Sequence, residues 1–212
     1  MKASSFVQFA LENDALQFGE FTLKSGRLSP YFFNAGKFNQ GSAFNVLGQY
    51  YAAALMQSNI AFDLLFGPAY KGIPLATATA IALDSQYQRS VSVSFNRKEA
   101  KTHGEAGKLI GAPLAGRVVI VDDVITAGTA IRESMELIQE AGAEPAAVVV
   151  ALDRQEKGPN GGSAIQEIER AYKIPVIAIA KLDDLLDYAR SREDLSGQLE
   201  QLTSYRQTYG IQ

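Results

Sequence analysis

The chain contains no cysteine, which excludes disulfides, a thiolate nucleophile and thiolate metal sites together. Histidine is almost as scarce: His103 is the single imidazole among 212 residues, so a zinc centre built from several histidines is ruled out. A hard ion held by carboxylates and ligand phosphates stays open. No apolar run reaches the length of a membrane span. The opening residues, MKASSFVQFALENDALQF, carry acids after a short apolar stretch, where a signal peptide would have a longer apolar core. Net charge is only −3, so no global attraction toward nucleic acid or an anionic membrane is expected. Neither nucleotide-binding fingerprint is complete. Gly67 and Gly72 have the spacing of a P-loop, but Ile73 and Pro74 stand where Lys and Ser or Thr should be. Internal repeats and low-complexity segments are missing as well. What remains is one ordinary globular domain, since 212 residues with 47% hydrophobic content suffice for a single filled core. The expected location is the cytoplasm.

Against this background one stretch stands out, VVIVDDVITAGTA from Val118 to Ala130. Val118 to Val121 form a continuous β-branched run, which suits a strand buried on both faces of a parallel sheet. Asp122 and Asp123 stand at its carboxyl end, where open α/β sheets bind their ligands. Thr126, Ala127, Gly128, Thr129 and Ala130 then lead into a helix with Ile131, Met135, Ile138 and Gly142 along one face. Small residues let backbone N–H groups approach an anion, and the helix start adds its positive dipole end. A lone Asp here would merely end a strand and cap a helix. The pair, with its Gly and Thr turn, fits one ligand: sugar hydroxyls on the acids and phosphate in the loop.

The rest of the chain supplies a frame for that motif. Phe6, Phe9, Ala10 and Asn13 to Leu16 suggest an opening amphipathic helix, followed by short strands with turns at Ser25-Gly26 and Ser29-Pro30. These first 40 or so residues read as a small appendage. A helix is expected over Ser42 to Gln57, with Phe44, Leu47, Tyr51 and Leu55 on one side, and another over Pro74 to Leu83. Strands are expected at Phe62 to Phe66, Val91 to Phe95, Ala146 to Leu152 and Val176 to Ala180 besides the motif strand. A helix near Ser163 to Tyr172 separates the last two strands, and Asp183 to Tyr205 reads as mostly polar helix packed on the sheet. The Gly158 to Gly162 cluster reads as an exposed turn. Strands alternating with helices imply an α/β fold, a doubly wound, mainly parallel sheet of about five strands flanked by helices.

Three further constellations bear chemistry. The segment from Asn96 to Gly111 carries Arg97, Lys98, Lys101, His103 and Lys108 among glycines, and reads as a mobile loop able to close over the crevice. Cations delivered that way would stabilise a departing diphosphate, whose charge grows in the transition state, and would exclude water. Tyr70-Lys71 occupies a turn between Gly67 and Gly72 at another strand's carboxyl end. Lys24, followed by Phe32 and Phe33, sets a cation and flat rings near polar turns, which suits a planar heterocycle. Arg154, just past the strand ending at Leu152, would point into the crevice with a fork suited to a carboxylate.

Together LKSGRLSPYFFNAG, FGPAYKG, FNRKEAKTHGE, VVIVDDVITAGTA and ALDRQE resemble, in order, the motifs of the bacterial orotate phosphoribosyltransferases, a branch of the type I phosphoribosyltransferase family. The resemblance runs from about residue 20 to residue 156, and no motif position departs from it. It implies transfer of a phosphoribosyl group from 5-phosphoribosyl 1-diphosphate to orotate with Mg²⁺, in pyrimidine biosynthesis. By the same resemblance, Lys24, Tyr70, Lys71, Arg97, Lys98, Lys101, His103 and the run Asp122, Asp123, Val124, Ile125, Thr126, Ala127, Gly128, Thr129 and Ala130 would contact the phosphoribosyl substrate. Phe32, Phe33, Thr126 and Arg154 would bind orotate. Lys101, Asp122 and Asp123 would be catalytic. No side chain is assigned to the metal directly; diphosphate, ribose hydroxyls and water would hold it. The resemblance further implies a homodimer that shares its charged loop across the interface, with residues 1–40 as a hood. A phosphoribosyltransferase acting on a neutral base would have no carboxylate for Arg154, and a nucleic-acid-binding regulator would need a basic appendage that the first eighteen residues, with Lys2 against Glu12 and Asp14, do not form.

Overall fold

The computed structural model describes residues 1–23, 25–101, 107–126, 128–158 and 161–211, with backbone alone at 99–101 and 107. Helix α1 (Ala3–Glu12) buries Phe6, Val7 and Ala10. It ends sooner than the sequence pattern suggests, because Asp14 turns into the left-handed region at φ 55° and Leu16 opens a strand. That strand, β1 (Leu16–Thr22), pairs antiparallel with β2 (Leu28–Phe33) as a separate two-stranded sheet.

Helix α2 (Gly41–Gln57), β3 (Leu64–Gly67), α3 (Gly72–Tyr87), β4 (Ser92–Lys101), β5 (Gly107–Gly111), β6 (Arg117–Asp122), α4 (Thr129–Glu140), β7 (Glu144–Asp153), α5 (Ala164–Tyr172) and β8 (Val176–Lys181) follow in that order. They build a six-stranded sheet ordered β5-β4-β3-β6-β7-β8. The five expected strands are its parallel members. The sixth, β5, runs antiparallel to β4, with Asn96 opposite Leu109 and Phe95 opposite Ile110. Residues 96–101 and 107–111 are therefore strand arms rather than loop. Their charged composition hides this, because an edge ladder is held by backbone hydrogen bonds and needs few apolar side chains.

The central strands are apolar on both faces, and the two faces feed different cores. Leu65, Val119, Val121, Ala147 and Val149 pack toward α1, α2 and α3. Leu64, Phe66, Val118, Ile120, Val148 and Val150 pack toward Ile131, Met135 and Ile138 of α4 and Ile165 and Ile168 of α5. This alternation within an unbroken apolar run is the signature of a parallel strand covered on both sides. Helix α5 starts with a full capping box between Ser163 and Gln166.

The polar C-terminal stretch is two α-helices, α6 (Leu182–Arg190) and α7 (Ser196–Tyr209), joined by a 3₁₀ turn at Glu193–Leu195. Helix α6 buries Leu185 and Leu186, and α7 buries Leu202 and Tyr205. Helix α7 packs against β2 of the hairpin and against α6. No helix among the described residues is long and apolar enough to cross a membrane.

Candidate active site

The sheet order fixes where a crevice opens. From β3 the chain steps outward to β4, then returns to place β6 on the other side of β3 and continues outward to β7 and β8. The strand order thus reverses between β3 and β6, the point at which open α/β sheets bind ligands beyond their carboxyl ends.

Asp122 ends β6 and Asp123 follows it, and both are almost wholly buried. Their backbone is pinned on two sides. The Tyr51 hydroxyl donates to the Asp122 carbonyl at 2.8 Å, and Ala151 N–H of β7 donates to the Asp123 carbonyl at 2.9 Å. The Asp123 N–H in turn donates to Asp122 Oδ1 at 2.9 Å. Burial, and then the adjacent Asp123 carboxylate, push the Asp122 carboxyl up to about 7, against the weaker opposing pull of that N–H and of Lys71. Burial likewise pushes the Tyr51 phenol well above its ordinary value, so its hydroxyl stays protonated and able to donate.

The turn after β3 brings the matching cation. Lys71 Nζ lies 2.6 Å from Asp123 Oδ2. Gly72 allows this approach: a Cβ there would stand 2.5 Å from Pro68 Cδ and 2.7 Å from the Val121 carbonyl oxygen, so only glycine lets the turn lie on the end of β6. Asn96 of β4 steadies the same turn, its Oδ1 accepting from Ala69 N–H at 2.7 Å. Tyr70 is 70% exposed, and Lys98 Nζ sits 5.1 Å from the centre of its ring. Arg97 buries Nε and Nη1 without a hydrogen-bond partner among the described residues. The ends of β3 and β6 therefore bring Lys71, Asp122 and Asp123 together, with Lys98 of β4 beside Tyr70 of the same turn.

Past Asp123, Val124 is half-buried and Ile125 buried, while Thr126 and Thr129 are exposed. Gly128 caps α4 at φ 73°, a left-handed conformation that favours glycine. Helices α3 and α4 thus both begin at this edge and turn their positive dipole ends toward it. Lys24, His103 and Ala127 lie outside the described residues, and Lys101 is placed by its backbone alone at the end of β4.

The residues assigned to the heterocycle divide. Phe32 is 40% exposed and stacks on Phe21 with ring centres 5.4 Å apart. Phe33 is a core residue: its ring packs against Phe6 at 6.4 Å and Phe38 at 6.5 Å and is not open to a ligand. Arg154 follows β7 as expected, but its side chain is mostly buried and already paired with Glu156 at 2.6 Å. Tyr51, Asn96, Glu156 and Tyr205 carry contacts here that the sequence reading did not assign. For Asn96 the signal was available, since it opens the charged segment. Tyr51 and Tyr205 depend on long-range packing, while Glu156 stands two residues from Arg154 and was open to a local reading.

A cavity of about 580 Å³ lies elsewhere, between the β1–β2 hairpin and α7 beside Glu20, Pro30, Gln201 and Tyr205. None of the acidic-motif residues lines it, so volume alone does not mark the chemistry.

Comparison with known proteins agrees with this geometry. The family described as phosphoribosyl transferase domain matches residues 37–166. A protein named orotate phosphoribosyltransferase from Stutzerimonas stutzeri (strain A1501) is 60% identical over 208 residues, covering 97% of each chain. One of the same name from Cronobacter sakazakii is 59% identical over 206 residues, again covering 97% of each. Among solved structures, the orotate phosphoribosyltransferase of Francisella tularensis aligns with a TM-score of 0.88 at 42% identity, over 97% of this chain and 99% of that one. With such identity along nearly the whole length, the chain belongs to the orotate phosphoribosyltransferase family.

Proposed function

We propose that the crevice between β3 and β6 binds 5-phosphoribosyl 1-diphosphate and transfers its phosphoribosyl group to orotate, giving orotidine 5′-phosphate and diphosphate in pyrimidine biosynthesis. The observation that carries this assignment of the site is the pair of buried carboxylates at the end of β6, with Lys71 from the neighbouring turn 2.6 Å from one of them. Carboxylates accept hydrogen bonds from ribose hydroxyls, while the cations of the β3 and β4 ends meet phosphate oxygens. Arg97 supports the same reading, because two buried guanidinium nitrogens without a partner among the described residues are costly until an anion reaches them.

Orotate's ring nitrogen attacks ribose C1 as diphosphate departs, and positive charge develops on the sugar. Asp122 and Asp123 lie close to that charge and stabilise it. Arg97, Lys98 and Lys101, with Lys24, Tyr70, Lys71 and His103, hold the diphosphate, and the run from Val124 to Ala130 cradles the 5′-phosphate. Lys101 is assigned the growing charge of the leaving group. Phe32, the Phe33 backbone, Thr126 and Arg154 hold the base, with residues 1–40 as its hood in a single-domain chain.

Mg²⁺ suits this donor set. Asp122 and Asp123 offer the oxygen donors that a hard ion takes, and such an ion binds through few protein ligands beside substrate phosphates. When bound it would offset diphosphate charge, while Asp122 and Asp123 orient the ribose hydroxyls beside it. A homodimer sharing the charged segment completes this reading. A cytoplasmic location suits substrates that are multiply charged anions.

The test is direct. The protein is mixed with orotate, 5-phosphoribosyl 1-diphosphate and Mg²⁺, and orotate absorbance is followed beside adenine, hypoxanthine and uracil controls. Turnover of orotate alone is expected, and turnover of a neutral base at a comparable rate would overturn the assignment of the acceptor.

A further inference from the structure

Arg154 is held by more groups than a ligand-binding cation needs for itself. Its Nε donates to Glu156 Oε1 at 2.7 Å, and Nη2 lies 2.6 Å from the same oxygen. Nη2 also reaches Ser29 Oγ at 3.1 Å and the Tyr205 hydroxyl at 3.4 Å. The guanidinium carbon sits over the buried Tyr31 ring, 4.3 Å from its centre. One edge of the fork is therefore fully committed, and Nη1 meets no acceptor among the described residues.

Glu156 is itself fixed. The Tyr205 hydroxyl donates to its Oε1 at 2.7 Å, and Arg27 Nη1 stands 3.5 Å from its Oε2. The surrounding backbone is clamped from two directions. Lys157 N–H donates to the Tyr209 carbonyl at 2.8 Å, and Ile211 N–H to the Gln155 carbonyl at 2.8 Å. From the hairpin, Arg27 Nη2 donates to the Lys157 carbonyl at 2.9 Å. Residues 154–158 are thus tied to both the β1–β2 hairpin and the end of α7.

A long, flexible cation loses rotamer freedom when it binds, and holding it beforehand removes that cost from the binding step. We propose that Glu156 and Tyr205 are positioning residues for the base site: they lock the guanidinium of Arg154 so that Nη1 is the donor presented to the carboxylate of orotate. Neither residue touches the base. Glu156 also offsets part of the charge of a mostly buried arginine, so the site keeps a directed donor without an uncompensated cation. The proposal rests on the reading of Arg154 as the base-carboxylate residue.

The experiment compares Glu156→Gln, Tyr205→Phe and Arg154→Lys in the full chain, reading KM for orotate, KM for 5-phosphoribosyl 1-diphosphate and the melting temperature. Glu156→Gln is expected to raise the orotate KM about tenfold and Tyr205→Phe about threefold, with the KM for 5-phosphoribosyl 1-diphosphate unchanged in both. Arg154→Lys is expected to raise the orotate KM most, because the amine cannot reproduce the fork. Should Glu156→Gln fail to fold, Tyr205→Phe gives the same split, since it removes one hydroxyl and keeps the ring. An unchanged or lowered orotate KM in the Glu156 and Tyr205 variants, with Arg154→Lys impaired, overturns the positioning role alone. A parallel rise in both KM values marks a merely structural effect and also overturns it. An unchanged orotate KM in Arg154→Lys refutes the reading of Arg154 beneath it.

Discussion

Lys71 Nζ lies 2.6 Å from Asp123 Oδ2, joining the turn after β3 to the end of β6 across the point where the strand order reverses. The pair is lopsided: the lysine side chain is 52% exposed and the aspartate side chain 8%. An ion pair with one half in water contributes little to folding, about 1 kcal/mol or less. On the proposed function its value is in holding a cation beside the acids before substrate arrives. Lys71→Ala should therefore leave the melting temperature nearly unchanged and raise the KM for 5-phosphoribosyl 1-diphosphate by about tenfold or more. Steady-state kinetics beside a thermal melt would separate the two. A large melting loss with an unaltered KM would mean that Lys71 serves the fold instead.

The raised Asp122 carboxyl makes a pH prediction. Its value moves from 3.8 to about 7 because burial and Asp123 disfavour the ionised form. A group raised on folding gives its full stabilisation below the unfolded value and loses it as pH climbs through the folded one. This residue's contribution is thus complete below about pH 4 and gone above about pH 7. Asp122→Asn should flatten that part of the melting-temperature profile. Function runs the opposite way, since ribose hydroxyls need an ionised acceptor. The wild-type KM for 5-phosphoribosyl 1-diphosphate should rise as pH falls below about 7, and binding should release protons into a weakly buffered solution. A flat KM between pH 6 and 8, about one unit either side, would remove Asp122 from the ribose contacts.

The Asp122 and Asp123 pair was legible in the sequence because a β-branched run and a small-residue turn are local features that the sheet simply executes. The same holds for Ile131, Met135 and Ile138, whose helical spacing reads directly as a buried face. The β4–β5 pairing was hidden, since its charges report an exposed edge and its apolar members, Phe95, Leu109 and Ile110, are too few to show a strand pattern. Phe33 shows another limit. Alternation along β2 sends Phe32 outward and Phe33 into the core, but which of two adjacent aromatics faces inward is settled by the register with β1, where Phe33 stands opposite Leu16. Glu156 and Tyr205 are 49 residues apart, and no local pattern announces a contact of that span.

Tyr51 provides the test of how the acids are held. Its ring belongs to the core on the α2 side of the sheet, and its hydroxyl ends on the Asp122 carbonyl at 2.8 Å. Tyr51→Phe keeps the ring and deletes only the donor, leaving that carbonyl buried without the hydroxyl. Such a loss costs about 1–3 kcal/mol, so the urea midpoint should fall while the slope of the transition stays the same. The substitution should also loosen the backbone that aims both carboxylates, raising the KM for 5-phosphoribosyl 1-diphosphate more than that for orotate, whose proposed contacts lie mainly on β2 and Arg154. If the midpoint falls and both KM values hold, Tyr51 supports the fold alone, and the Ala151 hydrogen bond to Asp123 is sufficient to aim the pair.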